Sequence, residues 1–447
     1  MLSVPVAANH PGSLRADLTM LAGREVMLVQ IADERRRGAI SEADGHTLAE
    51  AGEHALAAGL PLLVVISSSG ADVNDGVAAL HGWGAAARVI TRCSGCVPVL
   101  MAAVGPVLSG PALLLGLADH VVMTDDAYAF VSGPRMVATF TGESLEATEL
   151  GGATIHAVET GVASLVVPDR ESAIDALGHL LAYMPSSTHE EPPRLPTRDP
   201  VDRLTPEAGD AVPDSPTEGY DVRKVVCSLV DDADFLELQA RWAPNLVTCL
   251  AAIGGRPIGI VANQPASIAG TLDIAASQKG ARFVGFCDAF GIPLVTLVDT
   301  PGFSPGKDLE WRGMIRHGAQ LAFAYARATV PRVAVVLRKA YGGAYIVMDC
   351  RTMGSDLYLA WPCAEIAVMG AKGATEILHR READDRRADL EREYGERFLN
   401  PYVAADRGAV DAVIDPADTR REVAAALEML SSKQEHLVRR KHDNQPL

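Results

Sequence analysis

Val333-Ala-Val-Val-Leu-Arg-Lys-Ala-Tyr-Gly-Gly-Ala-Tyr-Ile-Val-Met348 decides the fold class and the candidate site together. Val333 to Leu337 is a short apolar β-branched run and reads as a buried strand. Arg338-Lys339 leads into Gly342-Gly343, and the apolar stretch behind them can open a helix, with Asp349 expected on it. A helix that starts this way leaves its first backbone N–H groups unpartnered, pointing at whatever sits above them. Glycine lets that backbone approach a ligand closely and take a φ that other residues resist. Two such amides aimed at one point can hold a carbonyl oxygen that gains charge during reaction, an oxyanion hole, each donor lowering the barrier by about 2.7–4 kcal/mol. Ala340 to Tyr345 holds no nucleophile, so the expected chemistry runs through backbone hydrogen bonds.

Working outward, the same grammar recurs. Strand patterns over Val26 to Ile31, Leu62 to Ile66, Val99 to Val104 and Val121 to Met123 alternate with helical ones over Glu42 to Ala58 and Asp75 to Arg92. A second series carries strands at Ile258 to Ala262, Leu294 to Val298, Val333 to Leu337 and Ile366 to Met369. Continuous apolar strands alternating with helices predict an α/β fold with largely parallel, covered sheets. Pro61 to Gly70 parallels Pro293 to Gly302, an offset of 232 (302 − 70), and Pro98 to Gly110 parallels Pro331 to Gly343, an offset of 233 (343 − 110). Two successive elements in one register predict two copies of one fold. The expected organisation is an irregular leader (1–20), a first domain (21–184), a Pro/Thr/Asp/Glu/Ser-rich exposed linker (185–221) and a second domain (222–447). Within the second domain, 380–397 is expected as a solvated helix and 422–440 as a C-terminal one.

Composition bounds the function. The 447 residues are 48% apolar and 22% charged, ordinary for a globular protein. A net charge of −17 argues against a nucleic-acid or anionic-membrane partner. No basic-then-apolar leader and no run near the roughly 18 apolar residues of a membrane span is present. Seven scattered cysteines, an odd number, fit a reducing cytoplasm, and Cys93-Ser-Gly-Cys96 lacks a second pair at zinc-site spacing, so no metal is expected. Phosphate-loop, Gly-x-Ser-x-Gly, His-Glu-x-x-His and dinucleotide fingerprints are absent.

A series of ordered motifs carries a resemblance. Gly259-Ile-Val-Ala-Asn-Gln-Pro265, Cys287-Asp-Ala-Phe290, Val298-Asp-Thr-Pro-Gly-Phe303, Arg338-Lys-Ala-Tyr-Gly-Gly-Ala-Tyr345 and Arg440-Lys-His442 lead the set. Together they resemble the carboxyltransferase (β) subunit of biotin-dependent acyl-CoA carboxylases, of the propionyl-CoA and acetyl-CoA type. The likeness covers residues 220–447 and continues more thinly through 24–185. It implies two crotonase-like (ClpP/crotonase superfamily, ββα-superhelix) domains per chain. It also implies a hexamer built from dimers, with the active site between the first domain of one subunit and the second domain of its partner. Carboxybiotin, on a separate biotin carboxylase/carrier subunit, would release CO2. Its ureido nitrogen would take the α-proton of a coenzyme A thioester, and the resulting enolate would capture CO2.

Residue by residue, the resemblance puts the biotin oxyanion on the amides of Gly343 and Ala344, with Gly342, Gly302 and Phe303 lining the biotin side. The thioester enolate would lie at Ser109 and Gly110, with Gly70, Ala71, Tyr345 and Ile346 about the substrate. Ile346 falls where members carry Asp or an aliphatic residue linked to acyl-chain choice. The first half departs from the pattern. Ser109-Gly110-Pro111 replaces Gly-Gly-Ala, and proline has no N–H to give. By the repeat, Gly343-Ala344 corresponds to Gly110-Pro111, leaving one donor; a pair formed by Ser109 and Gly110 would keep two. Ser68-Ser-Gly-Ala-Asp72 ends in an anion where the family has Arg. Three functions follow from these features: carboxyl transfer to an acyl thioester, decarboxylation by the reverse half-reaction, or a non-catalytic partner in a mixed hexamer with a paralogue. Hydratase chemistry of the wider superfamily would need a carboxylate pair that 105–116 lacks.

Overall fold

The structure is a computed structural model that describes residues 4–5, 9–31 and 35–446. It divides into two units, 1–193 with 239–242, and 194–238 with 243–447. Strands of the first are β1 (Val4–Pro5), β2 (Leu14–Leu21), β3 (Arg24–Ile31), β4 (Leu62–Ser68), β5 (Val99–Leu108), β6 (His120–Thr124), β7 (Tyr128–Phe130) and β8 (Leu165–Val167). Those of the second are β9 (Phe235–Leu238), β10 (Leu246–Ile253), β11 (Arg256–Asn263), β12 (Leu294–Thr300), β13 (Arg332–Tyr341), β14 (Leu357–Ala360), β15 (Glu365–Ala367) and β16 (Ala412–Val413).

The sheets run β1-β2-β3-β4-β5-β6-β8 and β16-β14-β13-β12-β11-β10-β9, with β7 on β5 and β15 on β13. Each opens on antiparallel pairs, β1–β2–β3 or β9–β10–β11, with β2–β3 and β10–β11 as tight hairpins, and is parallel from β3 or β11 onward. Both hairpins close through two residues at positive φ, Ala22-Gly23 and Gly254-Gly255, the turn geometry that suits strand twist. Residues 14–20, expected inside an irregular leader, therefore belong to a full strand, while 1–3 and 6–8 lie outside the described residues. Every residue of β12 is buried, and β4 nearly so, as parallel strands covered on both faces must be.

In the first unit, the helices Glu42–Ala58 and Val77–Cys93 cross at glycines. A β-carbon on Gly45 would fall 2.1 Å from the Gly82 carbonyl carbon, so any side chain there would force the helices apart. The first of these helices opens on a capping box at Ser41 and Asp44. Buried Asp44 also accepts the Leu14 N–H at 2.7 Å, tying β2 to that helix. Cys93, at the end of the second helix, is buried and its thiol is pushed up to about 12, so it is no thiolate at neutral pH.

The expected linker does not hang free. From Arg194 on it belongs to the second unit: Leu195 N–H donates to Gly255 O (2.8 Å) and Thr205 N–H to Ala417 O (2.7 Å). Arg420, fully buried, pairs with Asp231 and donates to Leu229 O and Pro200 O. The charged helix spans Asp384–Phe398. The C-terminal helix stops at Met429 rather than running to 440, and Lys433 instead donates to Asp356 (2.8 Å) and Val330 O (3.1 Å). Among the described residues no helix is long and apolar enough to cross a membrane.

One buried pair braces β13 and the helix behind it (Gly342–Val347). Asp349 lies past that helix rather than on it, at φ +58°, and pairs with Arg332 at the start of β13, 2.6 Å away. Arg332 also donates to Tyr325 O at 2.7 Å, but the second oxygen of Asp349 has no partner among the described residues. Burial raises Asp349 from 3.8 to about 7, against the pull of Arg332. The folded chain then binds this proton more tightly than the unfolded chain. Its stabilising contribution is full below the unfolded value and fades as pH rises from about 4 to about 7, at up to roughly 1.4 kcal/mol per pH unit. Thermal unfolding of D349N across pH 4–8 should lose that slope; a profile parallel to wild type contradicts the assignment.

Candidate active site

The two turns share one backbone register. β4 and β5 pair in register to Ile66–Ala103, then slip to Ser68–Val107; β12 and β13 pair to Val298–Val336, then slip to Thr300–Ala340. After the slip each long strand runs on, pairs with β7 or β15, and turns through a left-handed residue, Ser109 (φ +61°) or Gly342 (φ +59°). Gly110 therefore matches Gly343, and Pro111 matches Ala344.

In the second unit the helix opening at Gly342 leaves the amides of Gly343 and Ala344 without intrahelical acceptors. Gly343 is exposed, whereas the Ala344 side chain is buried. Phe303 stands beside them: a β-carbon on Gly343 would sit 3.4 Å from its ring, an ordinary contact distance, so the ring lies directly against the turn. Phe303 is held by the preceding Gly302 (φ +142°), whose carbonyl accepts the Leu272 N–H at 3.1 Å. Gly302, Phe303, Gly342, Gly343 and Ala344 thus form one constellation. Ile346, on the same helix, lines an apolar cavity of about 510 Å³ with Tyr394, Phe398 and Val403. The Tyr345 ring also borders it, packing edge-on to Tyr358 with centroids 6.0 Å apart.

Buried charge supports this turn. The Asp299 carboxylate accepts from Arg338 Nε (3.0 Å) and the Lys339 N–H (3.1 Å), and Arg338 spans to Ser215 O and Glu218 O. Burial raises the Asp299 carboxyl and lowers the Lys339 ammonium, each against its oppositely charged neighbours. Tyr341 O–H donates to Glu365 on the neighbouring β15.

The first unit repeats the constellation with different side chains. Gly70 (φ +110°) accepts the Ile40 N–H at 2.8 Å, as Gly302 does from Leu272, and the Ile40–Ala71 and Leu272–Phe303 bridges match. Ala71 is thus the small counterpart of Phe303. The space is filled from elsewhere: Trp83 on the helix Val77–Cys93 lies against Gly110, where a β-carbon would meet Nε1 at 2.9 Å. The Arg338–Asp299 pair has become Gly105 and Ser67, so that pair has no counterpart at these positions beneath the first turn. Asp72 is turned inward and caps the following turn, accepting from Asn74 N–H and Nδ2 at 3.0 Å each.

The amide count corrects one expectation. Ser109 N–H already donates to Phe130 O at 2.8 Å, so it is no free member of a donor pair. Pro111 (φ −54°, ψ −29°) has none to give. Gly110 is left as the single open amide, with no acceptor among the described residues. Sequence reasoning passed over Trp83; its one signal was the small Ala71 at the position of Phe303 in the repeat.

Residues 13–445 match the family model described as the carboxyl transferase domain. The chain is similar to the carboxyltransferase subunit of propionyl-CoA carboxylase from Haloferax mediterranei, at 45% identity over 92% of this chain and 81% of that one. It is equally similar (45%, over 92% and 79%) to the methylmalonyl-CoA carboxyltransferase 12S subunit of Propionibacterium freudenreichii subsp. shermanii. A solved transcarboxylase 12S structure, a hexamer with methylmalonyl-coenzyme A and methylmalonic acid bound, matches with a TM-score of 0.97 at 41% identity, over 100% of this chain and 90% of that one. Matched along nearly its whole length and in its two-sheet α/β architecture, the chain belongs to the carboxyl transferase family, as a carboxyltransferase subunit of the biotin-dependent propionyl/acetyl-CoA carboxylase type.

Proposed function

We propose that this chain moves a carboxyl group from carboxybiotin to the α-carbon of an acyl-CoA, holding an oxyanion at each turn. The open amides of Gly343 and Ala344 beside Phe303 carry this reading. They form a donor pair with no nucleophile at hand, suited to hold charge on the ureido oxygen. Carboxybiotin, on a separate carrier subunit, supplies the CO2 and the ureido nitrogen that accepts the α-proton. Gly343 and Ala344 donate to the ureido oxygen and so favour cleavage of its N–CO2 bond, while the Phe303 ring lines the bicyclic ring's side. At the first turn the Gly110 amide donates to the thioester oxygen as the α-C–H pair moves onto it. The new C–C bond then forms between that α-carbon and CO2, and the oxygen returns to a carbonyl. The chain positions both oxygens and exchanges no proton of its own.

Assembly follows the relatives: a hexamer built from dimers, supplied by a biotin carboxylase and carrier subunit. All seven cysteines are free thiols, which supports a reducing cytoplasmic setting. The amide missing at Pro111 favours one second possibility, a partner subunit in a mixed hexamer with an active paralogue.

One assay separates these. The chain, biotinylated carrier, biotin carboxylase, ATP and labelled bicarbonate are combined with acetyl-, propionyl-, butyryl- and longer acyl-CoA. Carboxylation of at least one acceptor is expected; no transfer to any of them, with the assembly intact, supports the partner-subunit role. Ile346 and the apolar cavity beside it fit aliphatic acyl chains. I346D should therefore lower kcat/KM for butyryl-CoA and longer acceptors by tenfold or more relative to acetyl-CoA, since a carboxylate there must be desolvated against methylenes. An unchanged acceptor ratio removes Ile346 from chain selection.

A further inference from the structure

We propose that Tyr394 and Phe398 form one wall of an acyl-chain pocket beside the second turn, and that the acceptor is a medium-chain acyl-CoA. The inference rests on the carboxyltransferase reading and deepens it by naming the substrate class. For CO2 to reach it, the α-carbon must come beside Gly343-Ala344, and Gly343 itself lines the cavity of about 510 Å³ that also holds Ile346. Whatever the acyl group carries beyond its α-carbon therefore has this space open to it. Phe303, on the proposed biotin side, does not line the cavity, so an acyl chain fits it better than the biotin ring does.

Size and lining select the chain. A methylene takes roughly the room of one water molecule, about 30 Å³, so half of the cavity would hold about eight carbons. Propionyl-CoA has a single carbon beyond its α-carbon and would leave most of the apolar wall wet. Arg407 is the one charged residue among those lining the cavity, and it is exposed. Its guanidinium can stay in water while its stem covers apolar surface.

The aromatic wall comes from an element otherwise built for solvent. Apart from Ala388, Leu390, Tyr394, Gly395 and Phe398, every residue of the helix Asp384–Phe398 is charged. Leu390, Tyr394 and Phe398 recur every four residues and so share one face. The Tyr394 and Phe398 rings pack with centroids 4.9 Å apart, and both line the cavity. Val403 lines it too, on the short helix Pro401–Asp406, where the Asn400 side chain accepts its N–H at 3.0 Å. A charged helix that brings two aromatic rings to the reacting turn thereby gains a role that solvation alone does not give it.

The test measures binding and turnover separately. Calorimetry on the purified chain with even-numbered acyl-CoA from acetyl to dodecanoyl should show Kd falling roughly fourfold per methylene, then levelling off near decanoyl-CoA. The assembly with carrier, biotin carboxylase, ATP and bicarbonate should follow the same order in kcat/KM. V403F, which narrows the cavity, should cut the octanoyl-to-acetyl ratio of kcat/KM tenfold or more. F398A, which widens it, should move the optimum to longer chains. Damage to the fold lowers every acceptor together and cannot move that ratio in opposite directions. A flat chain-length series overturns the proposal while the carboxyltransferase reading stands. So does a pair of variants that shift KM for the biotinylated carrier and leave the acceptor ratio alone. No turnover of any acceptor, with a Kd series that V403F and F398A still move, upholds the pocket and overturns the carboxyltransferase reading.

Discussion

A strand that runs past its sheet and leaves through a single left-handed residue is the constraint on which both halves of this protein depend. The slip in pairing before Thr300–Ala340 and before Ser68–Val107 lets β13 and β5 run on beside a second short strand. The positive φ at Gly342 or Ser109 then swings the next amides out of the ladder. Such a φ costs a non-glycine residue on the order of 1–2 kcal/mol. Ser109 adopts it all the same, held by its hydrogen bond to Phe130 O. The same backbone geometry is taken by serine at 109 and by glycine at 342.

On that shared backbone the halves have diverged in charge and in donors. The second turn stands on a buried Arg338–Asp299 pair, with Lys339 and Glu365 close by. A buried pair of this kind adds little net stability, but removing one partner leaves an uncompensated charge, so it fixes the strand's position. The first turn has glycine and serine in those places and an indole over the glycine. The second turn presents two open amides, whereas the first presents one.

Much of this could be read from residue order. The apolar runs of β4, β5, β12 and β13 and the offsets of 232 and 233 residues between the halves are carried by side-chain pattern, and the structure reproduces both. The first hairpin was hidden because Ala22-Gly23 is a weak turn signal and Leu14–Leu21 alternates only loosely. Other features depend on contacts that no local pattern encodes. The Ser109 amide is spent on Phe130, a residue 21 positions later; the linker from Arg194 docks through main-chain bonds; and Lys433 draws the tail out of helix toward Asp356. Trp83 lies against Gly110 through a contact that no local pattern marks.

The central claim is that backbone N–H groups, rather than side chains, hold the charge that develops at Gly343-Ala344. The most direct measurement replaces Ala344 by its α-hydroxy acid, turning one amide into an ester and deleting a single N–H with the side chain untouched. The account predicts a fall in kcat for carboxyl transfer of roughly 10²–10³, with oligomeric state and thioester KM unchanged. A variant that turns over at the wild-type rate would contradict it.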